Sequence, residues 1–516
     1  MNRKVIVSLM FGIGVLVSIS FRISVPIQEP WKAPAEADTI KSPLVFTPEV
    51  IRSGEKLFST YCVSCHGKNG LGDGSPGKFT PPPANFHSDR VADQKDGALF
   101  WKLTNGRGRS MPSYKAIFSS EQRWQLIAYV RQFAKQGSSA NSNLVTDFSK
   151  FRIDVKSPGN YFPLPRKVNN VYRSEAQYYM ADTVVKGLTR PWSMVFLPDN
   201  RFLVAQRDGK LVQMRGGQPV GVIENTMAGL RDIKLHPDFA KNKLVFLSYY
   251  IDPAAKTGSG HVLLVRARLQ GSKLVDTTTL YKAGPFRGNG EWYGSKIAID
   301  KKGFVYFTIP LKSDRKSAQD LSKQDGKTLR FNDDGTIPAD NPFVNTPNAL
   351  PEIYSYGHRV HEGLTIDPKS GRILSTEFGE LGGDELNEIK AGANFGWPAV
   401  SFSLEYNGAV ISESPYNEGM EPPLHHYAIA PGDVAVLYSD RYPGWNGNIF
   451  IAGLAAKLVH RAVFKNNVFS HDERLLENIG RVRDVKVGPD GFLYALTEDT
   501  GLIVRLLPVK KDTISK

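Results

Sequence analysis

Apolar residues recur at helical spacing in two segments near the start of the chain. The first is Thr47–Tyr61, where Pro48 suits the first position of a helix. The second is Glu121–Lys135, which follows a capping box formed by Ser119 and Gln122. The pattern therefore predicts two amphipathic helices that belong to a small helical domain.

From about residue 180 onward, short apolar runs alternate with turns rich in Gly, Asp, Asn and Pro. An apolar strand ends in Pro-Asp or Asp-x-x-Gly, and a second strand follows at once, as in WSMVFLPDNRFLVAQ. The unit recurs roughly every 50–60 residues. One hairpin per repeat is typical of a β-propeller, and a domain over 176–510 predicts about six blades.

The segments outside these two domains lack periodicity. We interpret 25–46 as a tether and 138–175 as a linker. Residues 1–24 have the basic pair Arg3 and Lys4 near their start, followed by the apolar stretch Val5–Ser20, which is the layout of an export signal. No small-x-small cleavage site follows, and the stretch is marginal for a membrane span, so it is predicted to be a signal peptide or an N-terminal membrane anchor. Either case predicts a periplasmic or other extracytoplasmic location.

The composition adds a basic surface to this picture. Lys and Arg number 65 against 51 Asp and Glu, which gives a net charge of +14 and a pI of about 9.4. The basic residues are scattered, and no helix-turn-helix, zinc-finger or RNA-binding signature is present, so the sequence predicts no nucleic-acid partner. A basic surface also suits docking to an acidic redox partner.

The two cysteines of the chain stand in one motif, Cys62-Val63-Ser64-Cys65-His66. In a C-x-x-C-H motif each thiol can bond one vinyl group of a haem, and the histidine becomes the proximal iron ligand. A zinc site would need two further ligands at typical spacing, and a redox dithiol would belong on a βαβ unit and would not require His66. The motif therefore predicts one covalently bound haem c.

The sixth iron ligand is predicted at Met111, in the loop GRGRSMPSY that precedes the second helix. A thioether is a soft ligand that favours ferrous iron and raises the reduction potential. The alternatives are His87 as the ligand and Met111 as core filler. Residues 50–135 resemble a small class I cytochrome c, and we place this all-α domain at 47–137. The resemblance implies one-electron transfer to a redox partner protein or a terminal oxidase.

Across 180–510 the chain resembles the glucose/sorbosone dehydrogenase family of soluble quinoproteins. The stretches that carry the resemblance are GLTRPWSMVFLPDNRFLVAQRDGKL, LHPDF, YSYGHRVHEGLTIDPKSGRILSTEFGELGGDELNEIKAGANFGWPAV, VAVLYSDRYPGWNGNIFIAGL and RVRDVKVGPDGFLYALTED. The resemblance implies a six-bladed propeller that binds pyrroloquinoline quinone (PQQ) and calcium and oxidises the hydroxyls of sugars or other alcohols. The fold class we expect is therefore multidomain, with the cytochrome c domain followed by an all-β six-bladed propeller.

Such a site needs residues that suit the chemistry of its cofactors. PQQ is a planar tricarboxylate, which guanidinium groups bind, and calcium prefers hard oxygens such as backbone carbonyls. The resemblance assigns the PQQ arginines to Arg359, Arg481 and Arg483, which are all kept. It assigns the calcium loop to the segment from Glu377 to Glu380, where a polar side chain is replaced by Phe378 and a proline by Glu380.

Other positions depart from the family pattern. An asparagine is replaced by Val360, a glutamine by Glu362, and a lysine by Ala455, with Lys457 two residues away. The catalytic base, normally histidine, corresponds to Trp292, whose indole has no basic nitrogen.

His361 is the candidate substitute for this base. We interpret His358 and His236 as structural histidines.

Three functions stay open at this point. The first is an exported haem c oxidoreductase, in which a quinoprotein sugar or alcohol dehydrogenase-like propeller passes electrons to the tethered cytochrome c domain. The second is an electron-transfer cytochrome c with a catalytically degenerate propeller that binds a glycan or a protein, which the replacements at 292, 360, 378, 380 and 455 favour. The third is a propeller with a different redox cofactor.

Overall fold

The structure is a computed structural model. It describes residues 31–72, 83–86, 91, 93–107, 111–115, 117–134, 144–145, 147–155, 159, 161–251, 259–287, 294–311, 314–406, 409–412, 414 and 416–512. The predicted signal peptide or anchor lies outside these residues. Within them, no helix combines the length and the apolar character that crossing a membrane requires.

The N-terminal domain is helical, as predicted. Thr47 caps the first helix by accepting a hydrogen bond from the Val50 N–H. The predicted capping box is confirmed, since Ser119 and Gln122 each accept a backbone N–H from the other, at 3.1 and 2.9 Å. The described helical elements are a 3-10 turn at Ala35–Thr39, α1 (Pro48–Tyr61), α2 (Val63–His66), α3 (Asp96–Asn105) and α4 (Ser120–Ala134).

Two features of this domain differ from the sequence analysis. Helix α3 was not predicted, because its apolar residues are bunched rather than spaced along one face. Part of the expected tether 25–46 also packs on the domain, with Ala37 buried against Gly97 at the start of α3. The glycine is required there, because a Cβ at this position would overlap the Ala37 carbonyl oxygen.

The described strands form six antiparallel sheets, which are the blades of a propeller and confirm the predicted fold class. A one-turn helix, α5 (Phe239–Asn242), and 3-10 turns at Arg315–Ala318 and Pro443–Trp445 lie in the connections. Blade 1 contains β4 (Pro191–Phe196), β5 (Arg201–Gln206), β6 (Leu211–Arg215) and β7 (Gln218–Ile223); blade 2 β8 (Leu230–Leu235), β9 (Leu244–Ile251), β10 (Ser259–Gln270) and β11 (Lys273–Arg287); blade 3 β12 (Ile297–Ile299), β13 (Val305–Ile309), β14 (Lys327–Phe331) and β15 (Ile353–Tyr356); blade 4 β16 (His361–Ile366), β17 (Ile373–Glu377), β18 (Asp384–Ile389) and β19 (His425–Tyr427); blade 5 β20 (Pro431–Val436), β21 (Ile449–Gly453), β22 (Leu458–Lys465) and β23 (Val468–Leu475); blade 6 β24 (Val482–Val487), β25 (Leu493–Thr497) and β26 (Ile503–Lys511).

The ring is closed by strands from both ends of the propeller sequence. β3 (Tyr178–Val185) pairs with β26 and completes blade 6, and β2 (Val171–Arg173) and β1 (Phe151–Ile153) extend the same sheet. The segment 138–175 is therefore not only a linker, because two of its stretches belong to the last blade. Each of those strands is three residues long, which is too short to give a periodic signal in the sequence.

The first strand of each blade lines the central channel. Five of these six inner strands carry an irregularity in pairing near their start, typical of a β-bulge, which re-aims side chains. We call the residues at this place the entrance layer, and it consists of Trp192, Arg231, Ser295, Glu362, Gly432 and Arg483. The residues that follow them form the charged layer, which consists of Ser193, Asp232, Lys296, Gly363, Asp433 and Asp484.

Both layers are buried, so their charges must be paired within the fold. In the charged layer, Lys486 from further down blade 6 donates to Asp433 at 2.6 Å and to Asp484 at 2.7 Å. Asp232 accepts the Ile297 N–H of the next blade at 3.0 Å. These contacts bind neighbouring blades together around the channel.

Candidate functional site

A cavity of about 540 Å³ lies inside the helical domain. This volume falls within the range of about 300–1,000 Å³ that is usual for ligand and cofactor sites. Its walls include side chains of α1 and α4, such as Phe58 and Leu126, and three of the predicted haem residues, Cys62, His66 and Met111. The predicted iron ligands therefore face one mostly apolar space.

The C-x-x-C-H motif folds into a single helical turn directly after α1. The N–H groups of Cys65 and His66 both donate to the Cys62 carbonyl, at 3.2 and 2.8 Å, so the two cysteines lie on one turn. The cysteines form no disulfide. Neither sulfur is therefore consumed by a bond to the other, as two thioether bonds to a haem require.

The ring of His66 is held in one orientation. Its Nδ1–H donates to the Ala84 carbonyl at 3.1 Å, and it stacks on Phe86 with ring centroids 4.4 Å apart. Burial lowers the pKa of His66 to about 4, so the ring is neutral at physiological pH. Neutral imidazole with Nδ1 protonated leaves Nε2 to coordinate iron, and a hydrogen bond on the other nitrogen is the usual way to orient such a ligand.

Met111 reaches the cavity on a loop that turns back against the end of α3. The Arg107 N–H donates to the Met111 carbonyl at 2.7 Å, and a Cβ on Gly106 would overlap the backbone from Met111 to Ser113. The close approach requires glycine at 106. The alternative ligand, His87, lies outside the described residues.

In the propeller, the entrance layer contains one of the predicted PQQ arginines. The Arg483 Nη1 donates to Glu362 at 2.8 Å, and its Nη2 donates to Glu498 at 2.5 Å. The guanidinium also lies 3.9 Å from the ring centre of Trp192. Arg483 and Glu362 are fully buried. This pair crosses from blade 6 to blade 4 over Gly432 of blade 5.

Arg359 lies beside the segment that the resemblance assigns to calcium. Its Nη1 donates to the carbonyls of Phe378 and Gly379, at 3.1 and 3.0 Å, and its Nη2 lies 3.6 Å from the Glu380 carboxylate. Glu380 in turn accepts a hydrogen bond from Arg315 at 2.6 Å. The carbonyl oxygens of this loop are therefore already paired with a guanidinium.

Beneath this loop lies a buried cluster of His358, His361 and Glu377. His358 donates from Nδ1 to Glu377 at 2.7 Å, and its Nε2 pairs with Ser355 at 2.8 Å, so both ring nitrogens are bonded within the fold. His361 is fully buried, its Nε2 pairs with Thr328 at 3.2 Å, and burial lowers its pKa to about 3. A side chain enclosed in this way does not reach a substrate, so the geometry does not support His361 as a substitute base.

The other predicted positions are scattered around the entrance. The partly exposed Arg481 has its Nε 3.8 Å from Glu498, and Ala455 donates its N–H to the Ile429 carbonyl at 3.1 Å. Val360 is half-buried next to Arg359. Trp292 lies outside the described residues. Trp192 and Glu498 were not predicted from the sequence, although aligning the starts of the inner strands would place Trp192 opposite Arg231 and Arg483.

The helical domain contacts the propeller through residues on either side of the haem motif. The Tyr61 ring lies 5.8 Å from the His426 ring, which stacks on Phe402 at 4.2 Å. Lys68 forms an ion pair with Glu175 at 2.6 Å. These contacts fix the haem-binding end of the helical domain against the propeller.

Comparison with known proteins agrees with this architecture. The Glucose / Sorbosone dehydrogenase family matches residues 188–505, and the family Cytochrome C oxidase, cbb3-type, subunit III matches residues 49–130. The first match spans more than half of the chain, so the chain belongs to the Glucose / Sorbosone dehydrogenase family, and it carries a cytochrome c domain in front of the propeller.

Several of the similar proteins are named aldose sugar dehydrogenases. The chain is 34% identical over 338 residues to Aldose sugar dehydrogenase YliI of Escherichia coli K12, which covers 62% of this chain and 91% of that protein. The structure is similar to the apo-form of the soluble aldose sugar dehydrogenase of Escherichia coli, with a TM-score of 0.60, 31% identity, and coverage of 65% of this chain and 100% of that chain. The PQQ-bound form of aldose sugar dehydrogenase from Streptomyces coelicolor gives a TM-score of 0.51 and 25% identity, over 64% of this chain and 96% of that chain.

The two implied groups differ in how well the described residues fit them. A haem fits the cavity of the cytochrome c domain, where anchoring thiols, an oriented histidine and a methionine meet among apolar walls. PQQ and calcium do not fit the propeller entrance in the same way. There Arg483 is enclosed by Glu362 and Glu498, and the carbonyls of Phe378 and Gly379 accept from Arg359.

Proposed function

We propose that this protein is an extracytoplasmic haem c oxidoreductase that carries single electrons, and that its propeller is the support on which the cytochrome c domain is docked. The observation that carries this proposal is the cavity onto which Cys62, His66 and Met111 converge. The enclosed charges of the propeller entrance favour electron carriage by the haem over a quinone reaction in the propeller.

The residues around the cavity have separable roles. Cys62 and Cys65 would anchor the haem by thioether bonds, His66, oriented by the Ala84 carbonyl, would ligate the iron, and Met111 would supply the second protein ligand. The bound haem supplies a reversible one-electron change at iron. The apolar walls limit water around it, and a methionine ligand together with low exposure raises the reduction potential.

Two cations lie at the wall of the cavity and suit the acidic side of a haem. Lys102, on α3, donates to the Trp31 carbonyl at 2.7 Å, and Arg107 follows the same helix. Positive groups at this place compensate the carboxylates that a haem carries.

A second candidate function is sugar or alcohol dehydrogenation by the propeller, with electrons passing to the haem. Membership of the Glucose / Sorbosone dehydrogenase family and the likeness to aldose sugar dehydrogenases favour it. The docked cytochrome c domain would serve as a tethered acceptor. The residues at the entrance, described above, argue against PQQ and calcium as the means.

The proposal includes export, because covalent haem attachment and residues 1–24 both suit an extracytoplasmic protein. A signal peptide would release the chain, and an anchor formed by residues 5–20 would keep it at the membrane. The partners we propose are a redox protein that donates electrons and a second one, or a terminal oxidase, that accepts them.

The proposal is tested on the full chain made in a host that matures c-type cytochromes. Mass spectrometry should show one haem added to the polypeptide, and a redox titration should follow a one-electron curve. The Cys62→Ala, Cys65→Ala double variant should lose the covalent mass. Lack of covalent haem in the wild-type chain would overturn the proposal.

A further inference from the structure

The entrance of the propeller channel is closed by side chains from four of its blades. Trp192 of blade 1, Arg231 of blade 2, Glu362 of blade 4 and Arg483 of blade 6 are all at most 4% exposed. The Arg231 guanidinium lies 5.2 Å from the Trp192 ring centre, and that of Arg483 lies 3.9 Å from it. The result is a layer in which an indole lies against two guanidinium groups.

Of the two arginines in this layer, Arg483 is neutralised by carboxylates of the fold. A guanidinium binds a ligand carboxylate by offering a fork of two N–H groups. In Arg483, Nη1 donates to Glu362, whereas Nε and Nη2 both donate to Glu498, at 3.1 and 2.5 Å. The fork that could hold a carboxylate of PQQ thus already holds the carboxylate of Glu498.

At the loop from Glu377 to Glu380, too, side chains of the protein occupy groups that a ligand would use. Calcium needs several oxygen ligands at about 2.3–2.6 Å, and backbone carbonyls often supply part of them. Here the carbonyls of Phe378 and Gly379 accept from one guanidinium nitrogen of Arg359, and Glu380 pairs with Arg315. While the Arg359 guanidinium is hydrogen-bonded to both carbonyls, a divalent cation there would lie against its positive charge, so calcium would have to displace it.

The replacements seen in the sequence explain this arrangement. Glu362 stands where the resemblance has a glutamine, and Glu380 where it has a proline. Both changes add a carboxylate beside an arginine that the family pattern gives to the cofactor. An arginine that keeps its position but gains an internal carboxylate no longer needs an anionic ligand for charge balance.

We infer that the propeller entrance is an internally neutralised site, in which Glu362 and Glu498 stand in for carboxylates of PQQ, and Arg359 stands in for calcium. The site therefore binds neither PQQ nor calcium, and its charged residues clamp blade 4 to blade 6. This inference rests on the proposed function in one respect, since it leaves electron carriage to the haem.

The first test uses the haem-loaded full chain. Calorimetric titration with calcium alone, and with PQQ in the presence of calcium, should give no saturable heat, and neither addition should raise the unfolding temperature of the propeller. Saturable binding of PQQ by the wild-type protein, with a rise in unfolding temperature, would overturn the inference. The haem spectrum of the same samples reports separately on the proposed function.

A second test asks whether removing the internal charges restores binding. Glu362→Gln should lower the unfolding temperature by roughly 5 °C or more, because it leaves Arg483 buried with one carboxylate fewer. Added PQQ should recover part of this loss, because the Arg483 Nη1 that Glu362 held can then pair with a carboxylate of PQQ. The matched control is Glu388→Gln, which removes a partly exposed pair with Arg372 in the same blade and should change neither quantity. A Glu362→Gln variant as stable as the wild type would contradict the clamp.

A separate variant tests the inference that Arg359 takes the place of calcium. Arg359→Gln removes the guanidinium from the two loop carbonyls and leaves Glu380 beside them, so calcium should bind measurably to this variant and not to the wild type. Arg372→Gln serves as the control and should not bind calcium. Calcium binding that is equally strong in wild type and in Arg359→Gln would overturn the assignment of Arg359.

Discussion

Tyr61 and His426 lie with their ring centroids 5.8 Å apart, although one belongs to the last turn of α1 and the other to β19 of the propeller. Tyr61 is the residue before the first haem cysteine. A second contact, between Lys68 and Glu175, lies on the other side of the haem motif. The haem-binding segment is therefore held at two points, and its position relative to the propeller is set by specific residues.

The ion pair between Lys68 and Glu175 offers a way to separate the two domains by a single substitution. Glu175 also accepts hydrogen bonds from Arg461 at 3.2 Å and lies 2.8 Å from His471. Lys68→Glu would place a second carboxylate there, and we expect the cytochrome c domain to undock while both domains stay folded. Hydrogen exchange of residues 61–68 should rise and the radius of gyration should increase. Lys56→Glu, an exposed change on α1, is the control and should alter neither measurement.

Because His426 is buried at the same contact, we expect the stability of the folded protein to fall in acid. Burial lowers its pKa to about 4, against an ordinary value of about 6.5. The folded state therefore resists protonation, so stability is kept above pH 6.5 and lost as the pH falls from 6.5 towards 4. The loss at pH 5 is about 2 kcal/mol.

The variant His426→Phe should remove this part of the pH dependence and keep ring contacts with Tyr61 and Phe402. Unfolding temperatures measured between pH 7 and pH 4.5 should fall less steeply than in the wild type. His261→Phe, in blade 2, provides the comparison and should follow the wild-type curve. Equal slopes for His426→Phe and the wild type would show that another group sets the acid limit.

Met111 predicts the spectrum of the haem. Met111→Ala should abolish the charge-transfer band that methionine–iron coordination gives, and it should lower the reduction potential, because the soft ligand is lost. Met227, an exposed methionine of the propeller, gives the control Met227→Ala, for which spectrum and potential should stay unchanged. If the band persists in Met111→Ala, the sixth ligand is another residue.

Gly54 lies where α1 approaches α4 closely enough to exclude a larger side chain. A Cβ at this position would overlap the Gln125 carbonyl oxygen, which is backbone and cannot swing away. Gly54→Ala should therefore separate the helices that form two walls of the haem cavity, costing about 1–3 kcal/mol and reducing the yield of haem-loaded protein. Gly221→Ala, where a Cβ meets no atom within 4 Å, should change stability by less than about 0.5 kcal/mol.

The sequence predicted those parts of the fold that depend on local patterns. Pro48 at a helix start, the capping box of Ser119 and Gln122, and the repeated strand–turn–strand unit predicted α1, α4 and the six blades correctly. The sequence did not reveal that β1 and β2 extend blade 6, because each is only three residues long. β1 is recognised by its pairing with β26, more than 300 residues away in the chain, and β2 by its pairing with β3. Helix α3 was not predicted because its apolar residues are not spaced at helical periodicity, and it depends on packing against the rest of its domain.

The two candidate sites also differ in how far the sequence alone could predict them. The haem site could be predicted because Cys62, Cys65 and His66 are adjacent in sequence. In the propeller, the replaced positions could be noticed one by one, but their meaning depends on pairs such as Glu362 with Arg483, which lie on different blades. Only the fold shows that the arginine kept from the family pattern is already paired.

The most direct test of the account follows the haem absorbance of the wild-type, haem-loaded protein after PQQ, calcium and a panel of aldoses are added together. We predict that the haem stays oxidised under these conditions and becomes reduced as soon as a one-electron donor is supplied. Haem reduction that requires both PQQ and a sugar would contradict the account and would establish the propeller as a quinoprotein dehydrogenase.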